Sequence, residues 1–111
     1  MNGRPSTQLW GKLAWHPAVV AWRALAHDSP DPERIEVLHR GEASATYRLI
    51  GAGPGGAPII ARRSRRARAL LERVLYERIL APLALTATRY LGFKAESPQS
   101  AWLFLTDAGD G

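Results

Sequence analysis

The sequence predicts an α+β domain whose elements run helix, three strands, helix, two strands. Three observations carry that order. β-branched and aromatic residues gather in five short runs bounded by Gly, Pro, Ser and Asp, the composition of strands between turns. Apolar residues recur at helical spacing in two longer stretches, one ahead of the first strand and one between the third and the fourth. Short turn segments join the first strand to the second and the fourth to the fifth, so those neighbours are expected to pair as antiparallel hairpins.

Residues 1–7 read as a loose terminus. Over residues 17–27, Ala18, Val19, Trp22, Leu25 and Ala26 share helical spacing, and Pro17 suits a first helical turn because its missing amide is no loss there. Trp10, Trp15 and Trp22 are read as aromatics that cover a core in preference to a platform for stacked bases. Residues 28–33, with Ser-Pro-Asp-Pro, form a linker. The first strand is 34–39 and the second 45–50, joined through Arg40-Gly41-Glu42-Ala43-Ser44. Gly51-Ala52-Gly53-Pro54-Gly55-Gly56 satisfies the spacing G-x-G-x-x-G. A dinucleotide fingerprint must open a helix, however, and here Ala57-Pro58 leads into the third strand, 58–62, so the run is read as a flexible connector. After the basic run Arg62-Arg63-Ser64-Arg65-Arg66-Ala67-Arg68, read as a solvated loop and first turn, a helix over 70–80 carries an apolar face of Leu71, Val74, Leu75 and Ile79 and stops at Ala81-Pro82. Strands at 89–96 and 101–106 follow, turning through Ser97-Pro98-Gln99-Ser100.

Composition narrows the classes. With 111 residues there is room for one domain, and 46% apolar with 23% charged residues is ordinary for a chain that buries a core. No apolar run reaches membrane-spanning length and the start lacks a secretory pattern, so the expected compartment is the cytoplasm, with no membrane partner. There is no cysteine, and His16, His27 and His39 are irregularly spaced, so no metal-ligand set is expected. The net charge of +5 rests on 13 arginines and two lysines and favours phosphate-bearing partners without choosing among them.

Four segments in order resemble the N-terminal lobe of the aminoglycoside phosphotransferase and choline kinase-like superfamily: Pro58-Ile59-Ile60-Ala61-Arg62-Arg63-Ser64, the helix from Glu72 through Leu83, Tyr90-Leu91-Gly92-Phe93, and Trp102-Leu103-Phe104-Leu105-Thr106-Asp107-Ala108-Gly109. The resemblance covers about residues 34–111. It implies a five-stranded antiparallel sheet with one helix packed on it over 34–106, preceded by an extension over 1–33 and followed by a hinge remnant over 107–111, with the second lobe of the family absent. It further implies that residues 39–46, with Gly41 and Ser44, cover the phosphates of ATP bound with Mg, and that Arg62 and Glu72 form the ion pair that grips them. Residues 105–108, including Leu105 and Asp107, would be the hinge beside the adenine. The family has lysine where Arg62 stands, and guanidinium presents a planar fork of donors instead of a point charge. The His-Gly-Asp type loop, its asparagine and the metal-holding aspartate do not occur in these 111 residues, since His16 precedes Pro17, His27 precedes Asp28 and His39 precedes Arg40-Gly41. No catalytic residue is therefore assigned.

Three functions follow as expectations. The first is the nucleotide-binding lobe of an ATP-dependent small-molecule phosphotransferase, catalytically incompetent alone. The second is a non-catalytic interaction module that associates with a separately encoded second lobe or with itself through exposed apolar surface. The third and weakest is a nucleic-acid binder using the arginines of residues 62–73.

Overall fold

Six strands, one more than expected, make up the single antiparallel sheet of the computed structural model, which describes residues 7–80 and 89–107. The additional strand is β1, Thr7–Trp10, and it takes an edge beside β2, Arg34–Arg40. β3 is Ala45–Ile50, β4 is Ile59–Arg65, β5 is Tyr90–Ala95 and β6 is Ser100–Thr106, in the order β1-β2-β3-β4-β6-β5. Helix α1, Pro17–Leu25, lies between β1 and β2 in sequence, and α2, Arg66–Val74, follows β4 directly and continues into wider π-type turns over Leu75–Leu80. Of the loose terminus expected over 1–7, Thr7 instead opens β1 and 1–6 lie outside the described residues, as do the expected helix stop at Ala81-Pro82 and residues 108–111 of the hinge remnant expected over 107–111.

Side-chain alternation sorts the sheet into two faces. Ile59 and Ala61 of β4, Tyr47 and Leu49 of β3, and Trp102 and Phe104 of β6 belong to one core cluster, together with Val19 and Trp22 of α1. Trp22 stacks obliquely on Phe104 at 5.2 Å between ring centroids, and its indole N–H donates to the Ala52 carbonyl at 3.0 Å. That bond matters because a buried indole without an acceptor would offset much of the gain from burying its ring. Of the three tryptophans read as core aromatics, only Trp22 is buried. Trp10 and Trp15 are about two-thirds exposed, and Trp10 instead lies under the Arg34 guanidinium, 5.3 Å from its ring centroid.

The opposite face carries α2. Ala69 of the helix is fully buried, as are Ala101 and Leu103 of β6. The apolar stripe expected to face the sheet does not: Leu71 is 68% exposed, and Val74, Leu75 and Ile79 are exposed as well. The reason is where the helix starts. β4 runs through the basic residues to Arg65, held by pairing of Arg63 with Trp102, Ser64 with Ala101 and Arg65 with Ser100, and the Arg66 amide donates to the Gln99 carbonyl at 2.8 Å. The helix then sets out at Arg66, a rotation that lays small Ala69 on the sheet and turns the larger residues outward. The residues 51–58 do serve as a connector, through a tight 3-10 turn at Pro54–Gly56 in which Gly55 and Gly56 adopt left-handed φ values of 67° and 82°.

Candidate functional site

Between the β2–β3 hairpin, the end of β4 and the first two turns of α2 lies a cavity of about 500 Å³, lined by Ala43, Ser44, Thr46, Arg62, Ser64, Arg65, Arg68 and Glu72. The sheet register explains the assembly. Thr46 is directly opposite Arg62, and Arg62 and Ser64, two residues apart, share the face on which α2 sits. The hairpin closes with the Gly41 amide donating to the Ser44 carbonyl at 2.8 Å, which sets Ala43 and Ser44 at the cavity rim.

Arg62 and Glu72 meet. Arg62 Nη1 donates to Glu72 Oε2 at 2.8 Å, with the two side chains about one-third and one-sixth exposed. The same oxygen also faces Arg68 Nε at 3.9 Å, one helical turn back, so two guanidiniums share one carboxylate atom. Glu72 Oε1 is buried without a hydrogen-bond partner, an acceptor that a ligand carrying a donor would satisfy. Three guanidiniums and the hydroxyls of Ser44, Thr46 and Ser64 thus surround one committed carboxylate. Such a donor set matches phosphoryl oxygens, because guanidinium offers paired N–H groups to two oxygens at once.

Of the six expected binding residues, Arg62, Glu72 and Ser44 line this cavity. Gly41 is in the hairpin turn next to it; a Cβ there would lie 3.2 Å from the His39 ring, with no positive φ to require glycine. Leu105 and Asp107 lie elsewhere. Leu105 is buried and pairs with Ile60 on one side and Tyr90 on the other. Asp107 Oδ2 accepts from Arg48 Nε at 2.8 Å, while Arg48 also bonds Glu36, so a guanidinium bridging two carboxylates stands on the sheet face beside Ile60. The hydrogen bond to Glu36 first, and the charge of Asp107 with it, raise the Arg48 pKa against the opposing effect of burial. The backbone expected to serve as the hinge is in use too: the Thr106 amide donates to the Arg89 carbonyl at 2.8 Å, and the Arg89 amide to Thr106 Oγ1 at 2.8 Å.

Thr46, Ser64 and Arg65 join the site although the sequence alone does not single them out. Thr46 and Ser64 share the face of Arg62 by strand alternation, which needs β4 to be known to run to Arg65; Arg65, one residue on, would point to the other face by that rule and joins the lining where the strand gives way to α2. Among the described residues, no group of three or more His, Asp or Glu side chains is placed to hold a metal ion, and no helix is long and apolar enough to cross a membrane. Comparison of the chain with known protein families, curated proteins and solved structures returns no match.

Proposed function

We propose that this chain is the nucleotide-binding lobe of an ATP-dependent small-molecule phosphotransferase of the aminoglycoside phosphotransferase-like kind. The observation that carries the reading is the Arg62–Glu72 ion pair, formed between the middle of β4 and the second turn of the following helix in the lining of a cavity to which the β2–β3 hairpin contributes Ala43 and Ser44. In this reading the arginines and hydroxyls hold the phosphates of ATP, Glu72 orients Arg62, and the acceptor hydroxyl, its base and the metal-holding groups belong to a second lobe. Phosphoryl transfer depends on positioning and charge stabilisation that one lobe cannot supply, so the chain alone binds nucleotide weakly and turns none over.

The test is a thermal shift on titration with ATP, run both with and without magnesium, since a ligand confined to the folded state raises the melting temperature. The wild-type chain is expected to shift in at least one buffer, and an Arg62→Met/Glu72→Gln double variant, which removes both charges together, to lose the shift. No ATP-dependent shift in either buffer, or an undiminished shift in the double variant, refutes the reading.

A second reading, a non-catalytic module that associates with a partner lobe or with itself, is favoured by the exposed Leu70, Leu71, Val74, Leu75 and Ile79 along one helical segment. Light scattering that stays monomeric across a wide concentration series would argue against self-association.

A further inference from the structure

The form of the ligand can be taken further, on the phosphate-binding reading of the same cavity. We infer that the cavity selects a linear oligophosphate chain free of divalent metal, and that the phosphates, not the base, carry the recognition.

The donor set points this way. Magnesium takes a near-octahedral shell of hard oxygen ligands, usually with one or two carboxylates from the protein. Among the described residues the only carboxylate lining the cavity is Glu72, and its Oε2 already accepts from Arg62 and faces Arg68. Its Oε1 is one oxygen, beside guanidiniums that repel a divalent cation. The residues present therefore do not fit the metal that the resemblance implies. They fit its opposite: Arg62, Arg65 and Arg68 outnumber the single anion, and Arg65 and Arg66 have no ion-pair partner among the described residues. Metal complexation cancels two of the negative charges on a triphosphate and occupies the oxygens that the arginines would take. A metal-free chain keeps both.

The base has less to meet. Leu105 and Asp107 are separated from the cavity lining, the Thr106 amide is already bonded to Arg89, and Arg48 is locked between Glu36 and Asp107. Inorganic tripolyphosphate should consequently occupy the cavity as ATP does.

Calorimetric titration of the full chain at low ionic strength decides this, using tripolyphosphate and ATP, each in chelator and each in excess magnesium. Magnesium is expected to weaken both ligands by about tenfold or more, the equivalent of one charge-assisted hydrogen bond. In chelator, tripolyphosphate is expected to bind within about tenfold of ATP. An Arg65→Ala/Arg68→Ala variant should lose most of the binding. Its ligand-free melting temperature should not fall below wild type, because Arg68 is 72% exposed, Arg65 has no ion-pair partner among the described residues, and both cations oppose the helix dipole. Tighter or equal binding in magnesium overturns the inference while leaving the nucleotide reading intact. ATP binding in chelator without tripolyphosphate binding overturns the claim that the chain of phosphates suffices. No binding of either ligand in either buffer removes this inference and the proposed function together, and full binding by the double variant places the ligand outside the cavity.

Discussion

Mild acid should loosen the first turn of α1, through one histidine. His16 is the N-cap of that helix, 4% exposed, and its Nδ1 accepts the Ala18 amide at 3.1 Å. The Tyr47 ring stands edge-on at 4.8 Å and the Trp15 ring at 5.6 Å. An Nδ1 that accepts a hydrogen bond is unprotonated, so the capping form is the neutral ring with its proton on Nε2. Burial pushes the imidazole pKa below its ordinary 6.5, and the charge of Arg40 pushes it the same way. With the folded value depressed, the unfolded chain takes up the proton first. The stability that neutral His16 contributes is therefore complete above 6.5 and declines as pH falls from there through the folded value, where the loss levels off.

The size of the loss follows from what protonation removes. The cap acceptor is worth about 1 kcal/mol, so a decline of that order is expected as pH falls from 6.5 through the lowered folded value. Urea denaturation followed by tryptophan fluorescence reads it, since Trp22 and Trp102 are buried and report the core directly. An His16→Asn variant keeps a cap acceptor and removes the titrating ring. It should be less stable than wild type near neutrality, through lost ring packing, and the gap should close as pH falls. Parallel curves for wild type and variant across the whole range would refute the assignment.

Two further outcomes test the connector and the ion pair. At Gly53 a Cβ would come within 2.5 Å of the Ala57 carbonyl oxygen and 2.6 Å of the Ile59 methyl, so Gly53→Ala should lower stability by roughly 2 kcal/mol or more; an unchanged urea midpoint would show that the turn yields. In a double-mutant cycle, Arg62→Met and Glu72→Gln should couple by about 1 kcal/mol, the partial exposure of both side chains keeping the figure low, and additive effects on stability would show that the pair does not hold α2 to β4.

The strands from β2 onward are legible in the sequence as β-branched and aromatic runs bounded by turn residues, with β3 and β4 alternating buried and less buried positions, and the largest displacement is at the end of β4, which runs past Arg62 to Arg65. β1 is not legible. Its four residues pair with β2, where Thr7 meets Val37 and Trp10 meets Arg34, and no local pattern announces a partner so far along the chain. α2 is misread for a different reason. Hydrophobic periodicity identifies a helix and its apolar stripe, yet which side meets the sheet is set by the residue at which the chain leaves β4, and that is fixed by non-local pairing with β6. The Arg62–Glu72 contact tolerates this error because both residues keep their places, one on a strand face and one in the second turn of the helix. The wider cavity does not, since the sequence alone puts Ser64 and Arg65 in a loop.

The basic start of α2 is the feature that most needs a physical cause. Arg65 precedes the helix without a side-chain cap, Arg66 and Arg68 occupy its first turn, and no acidic residue is there. Cations at that end oppose the helix dipole by about 0.3 to 1 kcal/mol each. Glu72 offsets part of this from the next turn, and Glu96 offsets Arg63 on the other face of the strand. Glu96 stays charged to do so: burial would raise its pKa, but hydrogen bonds from Arg63, Ser100 and Trp102 outweigh burial and hold it below the usual carboxylate value. Neither acid reaches Arg65 or Arg66, which have no ion-pair partner among the described residues. An anion in the cavity would remove the mutual repulsion and complement the dipole at once. On the phosphate-binding proposal, ligand binding would therefore be coupled to the integrity of the first turn of α2.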